Sequence, residues 1–227
     1  IDGVCRSGLL VWLDAGSSQL QRAVSAYAWR KVLNHGVGWL KAALEETSLS
    51  DNAQELLMSS VPISKTYWTE IDTLDSNLVA AYWRQGSVYQ IDDADRVEAG
   101  QLFLEHDCPW QAVDIAGIIL HDGQELDVDF VKNALDAACR SVNTYNSVHH
   151  TEYAVSELLK WLEDEAPDDP VLPGLEFQFF DFLHDHDPSN ALYRALGSSP
   201  ADFVQLVRSV YDRDSDEAEG SNISRKQ

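Results

Sequence analysis

The chain has 227 residues, 44% hydrophobic and 10% aromatic with seven Trp, enough apolar surface for a folded core and too much for a disordered chain. Its 16 Lys and Arg are outnumbered by 38 Asp and Glu, giving a net charge of -22 that repels phosphate backbones and anionic lipid heads, since both bind mainly through basic side chains. That balance disfavours direct nucleic-acid binding and favours a basic protein partner or simple solubility, and the longest apolar runs, GLLVWL at 8–13 and IAGIIL at 115–120, fall far short of the ~20 residues of a spanning helix.

The opening IDGVCRSGLL lacks the charged and then long apolar plan of a signal peptide. A chain that begins at Ile1 without Met is expected to be cut from a longer protein. Cys5, Cys108 and Cys139 are odd in number, far apart and free of any C-x-x-C pair, which points to small buried hydrophobes in a reducing, cytoplasmic setting.

Hydrophobic spacing is helical along nearly the whole chain. Leu20, Val24, Tyr27 and Lys31 share one face of a first helix, with the Lys31 stem lying along it, and Val37, Leu40 and Leu44 share a face of the next. DNAQELLMSSV starts at Asp51 with Gln54 three residues on, a spacing that resembles a capping box. SKTYWTEIDTL and DSNLVAAYWRQ follow, the second ended by Gly86, and GSVYQI at 86–91 is expected to be an extended connection. Segments 92–107, 108–123 and 126–141 predict three consecutive helices. Pro109 suits a first helical position and Gly123 a left-handed residue after a helix end. Residues 110–120 are apolar almost all round, apart from Gln111 and Asp114, which marks the buried helix of the three.

After a loop at 143–148, TEYAVSELLKWLEDE aligns Ala154, Leu158, Trp161 and Leu162, and APDDPVLPG then interrupts the chain with three prolines. Leu172, Leu175, Phe179, Phe182 and Leu183 continue the helical spacing, and a last helix starts at SPAD with Ser199 as its cap and Pro200 in first position. The expected fold is all-α: an irregular stack of helical hairpins, about eleven short helices, forming one domain over 1–211 with a subdivision near 165–173, and a disordered acidic tail over 212–227. Helix starts near Asp92 and Asp127 lie a hairpin-repeat period apart, although the Trp, Gly and Tyr signature of a tetratricopeptide repeat is absent.

The stretch richest in ligand atoms is FLHDHDP at 182–188. On a regular helix His184 and His186 project roughly 200° apart and cannot chelate one ion, and Asp187-Pro188 has the form of a cap and first residue, so a helix end is the expected reading. His149 and His150 precede Thr151, a cap candidate, while His106 and His121 flank the buried hairpin. No nucleophile elbow, Gly-rich phosphate loop or H-E-x-x-H occurs, and the carboxylate pairs Asp92 with Asp93 and Asp168 with Asp169 follow from the abundance of acids. No catalytic residue, metal ligand or cofactor is therefore assigned. Adjacent rings at Tyr67 and Trp68, and at Tyr82 and Trp83, diverge by about 100° on a helix. Core packing accounts for most of them, and one ring of each pair is a candidate anchor for a partner.

NALYRALGSSPADFVQLVRSVY (190–211), preceded by YWRQ and by AGQLFLEHDCPWQAVDIAGIIL, resembles the C-terminal helical region of very large multidomain bacterial proteins, with Gly100 standing for an Ala and Asp202-Phe203 replacing a doubled aromatic. The resemblance covers about half the chain and lies mainly at core positions. It implies a helical-repeat tail of a defence sensor rather than its catalytic part, and it carries no site residues across. Taken together, the sequence reads as a helical module that binds another protein or other domains of its own chain. The alternatives are a stand-alone hydrolase-type enzyme with a His and carboxylate cleft, and an acidic inhibitor imitating nucleic acid.

Overall fold

The computed structural model describes residues 10, 13–14, 17–46, 49–141, 148–179, 196–197, 201 and 203–204. These residues are all-α, with ten α-helices, two one-turn 3-10 helices and no strand. The helices are α1 (Ser18–His35), α2 (Val37–Glu46), α3 (Asp51–Met58), α4 (Lys65–Ile71), α5 (Ser76–Gln85), α6 (Arg96–Glu105), α7 (Pro109–His121), α8 (Val128–Arg140), α9 (Val148–Glu165) and α10 (Leu172–Gln178). They fall into two compact units that meet in sequence at Leu126 and Asp127.

In the first unit, helices one apart in the chain pack side by side: α1 with α3, α3 with α5, and α2 with α4. Consecutive helices α1 and α2, linked through Gly36, also pack together, as expected of stacked hairpins. The core side of α1 is Val24, Ala28 and Val32. Leu20, placed by its spacing on that side, is exposed instead. Lys31 does lie near Tyr27, its Nζ 5.6 Å from the ring centroid, and Tyr27 meets Trp39 of α2 edge to face at 6.1 Å.

Helix α3 is capped one residue earlier than the capping-box pattern suggests. Ser50 Oγ accepts from the backbone N–H of Ala53 and donates to the Asp14 carboxylate, so Asp51 is already the first helical residue. Gln54 does not satisfy a free donor; its Nε2 donates to the carbonyl of Leu49 at 3.1 Å. GSVYQI differs too, its centre winding into a 3-10 turn at Val88–Gln90 between extended residues Ser87 and Ile91.

α6 and α7 form the hairpin that the spacing predicts, and α7 is the buried partner, with Pro109 in its first turn. Both helices end in the same way. After α7, the N–H of Gly123 (φ 66°) bonds Leu120 O and the N–H of Gln124 bonds Ile119 O. After α6, Asp107 (φ 57°) and Cys108 make the equivalent bonds to Leu104 O and Phe103 O. These are Schellman motifs, in which a left-handed residue turns the chain back to satisfy the last carbonyls. Gln111 of α7 is buried and donates from Nε2 to the carbonyl of Arg84 at 2.9 Å, tying α7 to the end of α5.

In the second unit α8, α9 and α10 pack against one another. Asp127 caps α8 by accepting from Phe130 N at 2.7 Å. α9 begins at Val148, so Thr151 lies within the helix, buried, rather than capping it. Ala154, Leu158 and Leu162 are core, as are Leu172, Leu175 and Phe179. Pro167 and Pro170 lie in the turn between α9 and α10, which is fastened to α8 by Lys132 Nζ on Asp169 at 2.7 Å, while Pro173 already sits in the first turn of α10. Among the described residues no helix is long and apolar enough to cross a membrane.

Candidate functional site

The four rings proposed as anchors are mostly internal. Tyr82 and Trp83 are 0% exposed and Trp68 is 5% exposed; only Tyr67 is half-buried. Divergence by one helical step did not bring either ring of the second pair outside, because a different neighbour covers each. The Tyr82 hydroxyl donates to the carbonyl of Pro62 at 2.9 Å. Burial pushes its phenol well above the ordinary value, while the Ser64 backbone N–H and the Trp68 indole pull the other way. Trp83 stacks on His106 (centroids 5.0 Å apart, planes 12°), meets Phe103 edge to face at 5.2 Å and contacts Trp68 at 6.0 Å. The cluster thus joins α4, α5 and α6 and forms part of the core of the first unit.

The reactive groups within the described residues have structural occupations as well. Burial pushes the Cys108 thiol up to about 11 and the Cys139 thiol up to about 12, so neither is a thiolate near neutrality. Asp169 is held below the usual carboxylate value by Lys132 and then by the backbone N–H of Val171, which marks a fastening of the turn rather than an acid–base pair. His106 is packed on Trp83, and among the described residues no three His, Cys, Asp or Glu are gathered so as to hold a metal ion. FLHDHDP, Cys5 and Ser199 lie outside the described residues, as does the segment from 205 onward.

A different surface stands out. The acidic excess is not spread evenly: residues 15–44 contain no Asp or Glu, yet carry Arg22, Arg30, Lys31 and Lys41. α1 and most of α2 occupy this stretch. Opposite the buried Val24, Ala28 and Val32, α1 turns Arg22, Ala26, Trp29, Arg30 and Leu33 outward within an arc of roughly 100°. Trp29 is 44% and Leu33 48% exposed, one turn apart on the same face. Neither Arg22 nor Arg30 forms an ion pair among the described residues, in contrast to Arg84 with Glu55 and Arg96 with Asp122 in the same unit. Exposed Trp and Leu thus share one face of α1 with two arginines, and Trp and Arg are residue types enriched at protein interfaces. The spacing reading missed it because α1 carries large apolar residues on two sides. The carboxylate-free run was the signal that could have found it.

No family model, curated protein or solved structure matches the chain.

Proposed function

We propose that the chain is a non-catalytic helical interaction module of a longer bacterial protein acting in defence, and that it binds another protein or another part of its own chain. The observation that carries this reading is the outward face of α1, where Trp29 and Leu33 lie exposed on the same side as Arg22 and Arg30, two arginines that have no ion-pair partner among the described residues, on a chain of net charge -22. The engagement of Cys108, Cys139, Asp169 and His106 in packing and fastening fits a module whose work is recognition. The resemblance of its helices to those of large bacterial proteins supports the setting, and the side-by-side packing of α1, α3 and α5 gives α1 a rigid support.

The test is photo-crosslinking in cells that express the full gene, with a benzophenone amino acid at position 29 and, as control, at the exposed Thr69 of α4. A discrete light-dependent adduct from position 29 and none from position 69 is the expected result. The same adduct pattern from both positions, or no adduct from either, contradicts the reading.

A further inference from the structure

We propose that the α1 face takes an acidic amphipathic α-helix of another protein, an inference that rests on reading the chain as an interaction module. Arg22, Ala26, Trp29 and Leu33 are spaced four, three and four residues apart, the repeat of a coiled-coil seam, and all four are exposed. A partner helix laid along such a seam places its own apolar residues between these side chains, and Ala26, the smallest of the four with its single methyl, leaves room for a large one. Arg30 flanks the seam beside Trp29 and Leu33, where a coiled coil carries its charge pairs.

The chemistry of the occupant follows from the charges. α1 has Arg22, Arg30 and Lys31 and no carboxylate, so the complementary helix carries Asp or Glu beside its apolar stripe. A second copy docking α1 on α1 would set arginines against arginines. An anionic bilayer or a nucleic acid would meet only the two arginines of this face, while the net charge of -22 opposes its approach over the rest of the surface. A helix about 10 Å across reaches the seam without that penalty.

The probe is a phage library of helical 20-residue peptides with randomised outward positions, panned in parallel on the wild-type chain and on Trp29→Ala/Leu33→Ala. Clones enriched on the wild type alone are expected to carry Leu, Ile or Phe at seam spacing with Asp or Glu beside them. One such peptide, synthesised, should bind ~10-fold or more weakly to Arg22→Glu/Arg30→Glu and should weaken further as salt rises. Arg22→Gln/Arg30→Gln, a milder change, should fall between, which guards against a variant that merely misfolds. Four outcomes overturn the proposal: no clone that distinguishes wild type from the double alanine variant, enriched clones that are neutral or basic, affinity indifferent to both arginine variants, or preferential binding of this face to phosphatidylserine vesicles or to a second copy. Failure of the selection together with a specific photo-adduct from position 29 removes the acidic helix and leaves the interaction module standing. Failure of both removes both.

Discussion

Ile63 occupies the space where a side chain at Gly86 would go. A Cβ on Gly86 would lie 2.5 Å from Ile63 Cγ1, closer still to Cδ1, and 3.0 Å from the Tyr82 carbonyl. Gly86 ends α5 at φ -65°, a backbone conformation open to any residue, so its requirement is for room alone.

Gly86→Ala should therefore destabilise the first unit by about 1–3 kcal/mol through overpacking, read as a lower urea midpoint. Ile63→Val removes the Cδ1 that comes nearest. Combined with Gly86→Ala it should cost less than the sum of the two single changes, and strict additivity would contradict the steric explanation.

Tyr82→Phe removes the hydrogen bond to Pro62 O and should cost about 0.5–1.5 kcal/mol at neutral pH. The folded phenol titrates above its ordinary value of 10.0, so the unfolded chain ionises first, and the contribution is present below pH 10.0 and lost as pH rises beyond it. Between about pH 9 and about pH 11 the wild-type midpoint should fall more than that of Tyr82→Phe. Parallel curves would count against a buried phenol.

Asp107 holds a left-handed conformation, φ 57°, in the turn from α6 to α7, where Gly123 serves after α7. Asp tolerates this region better than most residues but less well than Gly. Asp107→Gly should raise stability by roughly 0.5–1 kcal/mol, and Asp107→Val should lower it. Chemical denaturation of the two variants reads both signs.

Asp169 fastens the α9–α10 turn to α8 through Lys132. Its folded value lies below the ordinary 3.8, so its contribution is fully present above that pH and is lost as pH falls below it, towards the folded value. Between about pH 5 and about pH 3 wild type should lose stability more steeply than Asp169→Asn, and Lys132→Met should shrink that difference to the part supplied by the Val171 N–H. Both side chains keep contact with water, so the effect is modest and should shrink in salt.

Local rules read well where one interaction decides the outcome. Pro109, Gly123 and Asp127 were legible because a helix end has few solutions, and α7 because residues apolar all round leave no choice of face. Spacing failed on α1, which has large apolar residues on two sides: the neighbouring α2 and α3 chose the side with Val24, Ala28 and Val32, leaving Leu20, Trp29 and Leu33 outside. It also misjudged Tyr82 and Trp83, since which neighbour covers a ring is a tertiary fact that adjacent positions do not encode. The Ser50 cap lay one residue before the expected Asp51 because Ser50 is itself a good acceptor and Asp14, distant in sequence, takes its hydroxyl proton. The run without carboxylates at 15–44 was visible throughout, hidden only by a total charge that invites the assumption of uniformity.

The most direct measurement is equilibrium unfolding of Trp29→Ala/Leu33→Ala in the otherwise unchanged chain. If the outward face of α1 is spare surface held for a partner, losing both half-exposed side chains should lower the unfolding free energy by no more than about 1 kcal/mol. A loss of several kcal/mol, on the scale of about 3–5 for one buried Trp, would show that these residues belong to the core and that no free face exists there to be bound.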